Sequence, residues 1–181
     1  RYLVKPRYGG GGEGIREWTP GMNKLEGSVL QPFIEGQDID VSMAVVDGRT
    51  IACTTEQKIG PGVRRYFANA AVERAAQNLV TSTRYTGLMH IDMRLDTEGR
   101  PWVIDINPRI WASHWMSAAM GMDFAAAFAA AATGEPVARQ RQRGLCAAQW
   151  RYPAARSETG EGGGREGVRL GGGAEGVKEK R

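Results

Sequence analysis

The chain has 181 residues, of which 41% are apolar and 24% charged, and a formal net charge of +4. That is enough apolar material for one domain with a core, in the proportions of an ordinary soluble globular protein. The mild basicity suits an anionic ligand such as a phosphate, or equally a solvated surface. No Lys/Arg run interleaved with aromatics marks a nucleic-acid groove, and no apolar stretch is long enough to span a bilayer. Cys53 and Cys146 match no metal-ligand spacing and read as two buried thiols of a reducing cytoplasm.

The opening, Arg1-Tyr2-Leu3-Val4-Lys5-Pro6, has no initiator Met and reads as the middle of a strand over 2–5. It predicts that an N-terminal part of the domain is missing. Gly9, Gly10, Gly11, Gly12 and Gly14 follow as a glycine loop. Consecutive glycines let backbone amides approach a phosphate closely, and Lys5 just before them adds a mobile point charge. A merely flexible loop fits the same residues. Gly9, Gly11 and Gly14 also satisfy G-x-G-x-x-G, but Pro20 and Gly21 leave no room for the long helix a dinucleotide fold places next. A Walker loop has its Lys after the last Gly, and the His-Arg-Asp and Asp-Phe-Gly strings of protein kinases do not occur.

Strands are predicted over 28–34 and 39–46, with Asp47-Gly48 as a hairpin turn into a third over 50–57. Gln31 is placed to bond a base edge, the backbone at Ile34 to do the same, and Asp38 to accept from ribose hydroxyls. An edge strand with a polar turn is the competing reading. Gly60-Pro61-Gly62 breaks the chain. Residues 69–84 have helical periodicity, with Val72, Ala75, Ala76, Leu79 and Val80 on one face.

The most informative segment is the hairpin over 88–109, turning at Asp96-Thr97-Glu98-Gly99. On its first strand Met89, Ile91, Met93 and Leu95 point one way and His90, Asp92, Arg94 and Asp96 the other. On its second, Trp102, Ile104 and Ile106 are expected on one face, and Val103, Asp105 and Asn107 on the opposite one. Antiparallel pairing then brings Asp92 close to Asp105 with Asn107 one step along. Facing carboxylates repel, and a divalent cation between them removes the penalty. Oxygen ligands of this kind suit Mg²⁺, which shares phosphate oxygens, and Arg109 is placed to meet the same phosphates. A solvated polar hairpin face is the alternative for an isolated Asp pair. Asp-x-Asn-x-Arg on an otherwise apolar strand favours the ion.

Helices are expected after Ser113 and from an Asp123 N-cap to just before Gly134-Glu135-Pro136. Residues 156–181 are built from Gly, Glu, Arg and Lys and are expected to be disordered. The order of elements predicts an α+β fold, a mostly antiparallel sheet with flanking helices, over 1–153, with a tail over 154–181.

Three segments together resemble the ATP-grasp superfamily: Leu3-Val4-Lys5-Pro6 with its glycine loop, Gln31-Pro32-Phe33-Ile34-Glu35-Gly36, and Val103-Ile104-Asp105-Ile106-Asn107-Pro108-Arg109. The resemblance covers roughly 1–132, and its last motif is the most specific. It implies an ATP-grasp fold lacking its N-terminal part, with ATP and Mg²⁺ (or Mn²⁺) as cofactors. Lys5 and the loop glycines Gly10, Gly11 and Gly12 would contact the phosphates, with Lys58 a looser candidate. Gln31, Phe33 and the Ile34 backbone would hold adenine, and Asp38 the ribose. Asp92, Asp105 and Asn107 would bind the metal, and Arg109 would stabilise the transferring phosphoryl group. The second metal acid is more often Glu in that family, so Asp105 is one methylene shorter. The implied chemistry activates a small carboxylate as an acyl phosphate for attack by an amine or thiol. The implied partners are ATP and that carboxylate, with neither nucleic acid nor membrane. The alternative is a truncated, non-catalytic nucleotide-binding module or gene relic.

Overall fold

The computed structural model describes residues 1–22 and 26–137, and the backbone of 144–147. The expected disordered tail over 154–181, and the domain boundary at 153, lie outside the described residues.

The described residues form two antiparallel sheets with flanking helices. The smaller consists of β1 (Tyr2–Pro6), β2 (Arg16–Glu17) and β3 (Ser28–Pro32), in the order β2-β1-β3. The glycine segment is therefore the connection of the β1–β2 pair. The larger sheet consists of β4 (Gly36–Val46), β5 (Arg49–Gly60), β6 (Val63–Phe67), β7 (Gly87–Asp96), β8 (Pro101–Asn107) and β9 (Gly144–Ala147), in the order β8-β7-β4-β5-β6-β9. The helices are α1 (Ala70–Thr83), α2 (His114–Ala119) and α3 (Phe124–Thr133). This is the α+β, mostly antiparallel arrangement expected.

Local chemistry sets the turns. Asp47 and Gly48 both have positive φ, 47° and 72°, as a two-residue hairpin turn twisted with its strands requires. The Gly48 carbonyl then accepts from Gln77 (2.9 Å) and Thr81 (3.1 Å), which ties the turn to α1. Gly60-Pro61-Gly62 closes a second hairpin and so creates β6. The sequence reading passed over that strand, because adjacent Arg64 and Arg65 blur the alternation that would have marked it. Asn69 caps α1 by accepting from the amides of Ala71 and Val72, and Glu73 reaches back to the Asn69 amide at 3.0 Å. Asp123 caps α3 through the Ala126 amide, whereas Ser113 makes no side-chain cap bond to α2.

The main core fills one face of the large sheet. Ile39, Val41, Met43 and Val45 of β4 and Met89, Ile91 and Met93 of β7 pack on Val72, Ala76 and Val80 of α1. On the opposite face, Ala44 and Ala52 meet Trp111, Met122, Phe124 and Ala127. Tyr66 forms a smaller cluster with Met116, and polar residues of β4, β5, β7 and β8 share that face.

One expectation is corrected. A register shift in the β7–β8 pairing sets Asp92 opposite Asp105 but Met93 opposite Val103, leaving Ile104 without a partner. The bulge inserts one residue, so the side-chain alternation flips across it. Trp102 consequently pairs with Arg94 on the polar side, and Val103 with Met93 on the core side, the reverse of the simple alternation.

Candidate functional site

The polar face is organised as rungs that cross the strands. Along one rung Asp105 of β8 stands opposite Asp92 of β7, Asp92 opposite Asp40 of β4, Asp40 opposite Glu56 of β5, and Glu56 opposite Tyr66 of β6. Four carboxylates thus lie in register on four adjacent strands. Side chains directly opposite on neighbouring strands are close enough for like charges to be costly. The next rung holds Ser42, His90 and Asn107, and the rung on the other side holds Asp38, Arg94 and Trp102.

The local partners of these groups temper the repulsion. The Asn107 amide donates to Asp92 Oδ2 and Asp105 Oδ2, each at 3.2 Å. His90 Nε2 lies 3.3 Å from Asp92 Oδ1, and its Nδ1 lies 2.9 Å from the Ser42 hydroxyl. Lys5 Nζ reaches across from the small sheet to Asp105 Oδ1 at 3.0 Å and the Ile104 carbonyl at 3.1 Å. That carbonyl belongs to the bulged residue and also accepts from Gln31 at 3.4 Å. Arg109 donates to the Asn107 side-chain oxygen at 3.1 Å. The buried end of the rung is less well compensated: Glu56 is 0% exposed, with Arg64 at 3.8 Å and the Tyr66 hydroxyl in attendance.

The electrostatics follow from that layout. Burial pushes the Asp40 carboxyl up to about 7; His90 opposes the rise, while Asp92 and Glu56 add to it. Burial likewise raises Glu56. For His90 burial works downward, but the bond to Asp92 and the charges of Asp40, Asp92 and Glu56 outweigh it and leave the imidazole raised. A field this negative, on a sheet face that opens toward Lys5, suits a cation.

Of the residues expected from sequence, Asp92, Asp105, Asn107, Arg109 and Lys5 come together in one connected network. Gln31 joins it through the Ile104 carbonyl. A cleft of about 550 Å³ between the sheets is lined by Lys5, Arg7, Leu30, Gln31 and Ile104 among others. Phe33 and Ile34 lie on the connection from β3 into β4 and Asp38 near the start of β4, all outside that lining. Two guanidinium groups lie over the Phe33 ring, Arg1 at 4.0 Å and Arg94 at 5.0 Å from its centroid. Asp38 is engaged by Arg94 at 2.9 Å. A Cβ built on Gly10, Gly11 or Gly12 would meet nothing within 4 Å, so that loop stands open to solvent. Lys58 stands opposite Arg64 across the β5–β6 pairing, two residues along β5 from Glu56 and so on the same face of the sheet.

Sequence reasoning missed Asp40, Ser42, Glu56 and Trp111. The alternation Asp38-x-Asp40-x-Ser42 is visible in the sequence, but its meaning depends on β4 lying between β5 and β7. Trp111 stacks on His90 with centroids 5.4 Å apart and planes at 17°, a contact that no spacing rule announces.

A family model described as ATP-grasp in the biosynthetic pathway with Ter operon matches residues 24–151. A D-alanine--D-alanine ligase from Gloeobacter violaceus is 30% identical over 99 residues, 44% of this chain and 32% of that protein. The biotin carboxylase–β,γ-ATP complex from Campylobacter jejuni superposes with a TM-score of 0.60 at 16% identity, covering 80% of this chain and 40% of that one. The biotin carboxylase domain of the Hydrogenobacter thermophilus 2-oxoglutarate carboxylase, in complex with MgADP, ADP and bicarbonate, gives 0.55 at 18% identity, again over 80% and 40%. The chain thus spans about a third to two fifths of the length of these proteins. No helix among the described residues is long and apolar enough to cross a membrane.

Proposed function

Because this chain belongs to the family of ATP-grasp proteins of the biosynthetic pathway with the Ter operon, we propose that it is the ATP- and cation-binding part of a ligase. That ligase activates a carboxylate as an acyl phosphate. The observation that carries the reading is the pairing of Asp92 with Asp105, bridged by Asn107 and met by Lys5.

The donor set fits a hard divalent ion. Asp92 and Asp105 offer carboxylate oxygens, and Asn107 offers an amide oxygen once its side chain turns over, since its nitrogen now faces the carboxylates. Asp92, Asp105 and Asn107 would hold Mg²⁺ or Mn²⁺, which would supply neutralisation of the phosphate charge. Lys5 and the backbone amides of Gly10, Gly11 and Gly12 bind the phosphates. Gln31, Phe33 and the Ile34 backbone receive adenine, and Asp38 receives the ribose after exchanging its Arg94 partner.

In the reaction a carboxylate oxygen attacks the γ-phosphorus, the bond to the β–γ bridging oxygen breaks, and ADP leaves. An amine or thiol then adds to the acyl carbon, gives up its proton and expels phosphate. Arg109 lies beside Asn107 and spreads the charge that develops on the transferred group. Positioning and charge neutralisation are the main part of the protein's role in such a step.

A second reading is a nucleotide-binding module without catalysis. Incubation with Mg-ATP, a panel of carboxylic acids and hydroxylamine separates the two. Carboxylate-dependent hydroxamate that Asp105→Ala abolishes supports the ligase. Nucleotide binding with no hydroxamate from any acid supports the module.

A further inference from the structure

We propose that His90 is a positioning residue that fixes the Asp92 carboxylate for its cation, and that Trp111 locks the His90 ring in place by stacking on it. The proposal rests on the ion-site reading above and deepens it.

Asp92 is exposed enough to rotate freely, its side chain being 40% accessible. Its two oxygens are nevertheless held by different strands. Oδ2 takes Asn107 of β8, and Oδ1 takes His90, two residues back on its own strand. The imidazole is held on both edges, because Ser42, itself 0% exposed, bonds Nδ1 from β4 at 2.9 Å. Trp111 covers one ring face at 17°. Trp111 is in turn fixed edge-on against Phe124 at 5.1 Å, and its carbonyl bonds His114 Nδ1 at 2.9 Å. The buried Trp111 indole nitrogen has no hydrogen-bond partner among the described residues, so its service to His90 is the stacked face.

Chain order gives this arrangement its logic. The stretch Asn107-Pro108-Arg109-Ile110-Trp111 supplies the Asn that bridges both acids, the Arg on that Asn, and the Trp on the His behind Asp92. One folded-back segment thereby sets both sides of the acid pair. Side chains that hold a metal ligand from behind typically change metal affinity by about 10–100-fold when replaced.

A ring nitrogen of His90 also falls within 4.8 Å of an Asp40 oxygen and an Asp92 oxygen, a grouping that would let the ring bind an ion directly. Its 3.3 Å contact with Asp92 instead makes it a donor to the ligand.

Mn²⁺ titration of the full chain in the presence of ADP, read by electron paramagnetic resonance, tests the proposal. His90→Phe keeps the ring and the stack but removes the donor, and is expected to weaken Mn²⁺ about tenfold or more. His90→Gln restores a donor at the Nε2 position and is expected to lie within a few-fold of wild type. Where His90→Phe does not fold, Ser42→Ala, which frees the far edge of the ring, is expected to weaken Mn²⁺ several-fold. His90→Phe, or in its place Ser42→Ala, as tight as wild type overturns the proposal, and so does His90→Gln as weak as His90→Phe. A strong ¹⁴N coupling to bound Mn²⁺ overturns it in favour of direct ligation. Asp105→Asn separates the layers: Mn²⁺ lost there but retained in His90→Phe defeats the positioning role alone. No Mn²⁺ binding by wild type, or none lost in Asp105→Asn, defeats the ion site and the positioning role with it.

Discussion

The Lys5 ammonium lies 3.0 Å from the Asp105 carboxylate, joining residues 100 positions apart and bridging the two sheets. Lys5 thus sits on one of the two acids that would hold a cation. Ion and lysine compete for the same oxygen, while the nucleotide phosphates attract both.

The first prediction concerns that competition. The pair is half-exposed, and such pairs are worth about 0–1 kcal/mol. Lys5→Met should therefore bind Mn²⁺ alone a few-fold tighter than wild type and bind Mg-ADP more weakly. Paired calorimetric titrations check both directions. A loss in both would mean that Lys5 does not compete with the ion.

The buried rung makes the ion-free protein sensitive to pH. Asp40 holds its proton up to about 7 in the folded chain, against 3.8 for an ordinary aspartate. Over that interval the folded state binds more protons than the unfolded one, so stability falls as pH rises, by at most about 1.4 kcal/mol per unit. Glu56 and His90, both raised, act in the same sense. Thermal melting in chelator should show stability declining from about pH 4 toward 7, and Asp40→Asn should flatten the decline.

Gly36 begins β4 with φ at 146°, and a Cβ there would lie 1.9 Å from the Leu95 carbonyl oxygen. That oxygen is backbone of β7, so it cannot swing away as a side chain would. Gly36→Ala should destabilise by several kcal/mol, since a strained backbone costs about 1–3 kcal/mol before the clash is counted. Urea denaturation measures it; an unchanged midpoint would contradict the β4–β7 register at this end.

The α1 cap offers a local check. Asn69→Ala removes the acceptor of two amide bonds and should cost about 1 kcal/mol, leaving Mn²⁺ affinity unchanged. Denaturation and Mn²⁺ titration on the same sample separate the two effects.

The hairpin at Leu88 to Arg109 was legible in the sequence because strand alternation and a marked turn delimit its two strands. The bulge at Ile104 was not legible, because an inserted residue leaves no trace in polarity, yet it is the bulge that carries the pairing set at the turn (Leu95 with Pro101, Met93 with Val103) over to Asp92 opposite Asp105. The bulge frees the carbonyl that Lys5 and Gln31 share. Asp40 and Glu56 stayed hidden for a different reason: their place beside Asp92 depends on which strand neighbours which, a long-range fact. The adenine-side assignments are the least developed in the geometry. Asp38 is engaged by Arg94 and Phe33 by two arginines, and sequence spacing held no hint of either partnership.

The central claim is that Asp92 and Asp105 form a cation site serving a bound nucleotide. Calorimetric titration of Mg-ATP into the chain and into Asp105→Ala and Asp92→Ala tests it most directly, with melting curves to verify folding. The account predicts measurable binding by the wild type, lost or weakened at least tenfold in both variants. Equal affinity in all three would contradict it.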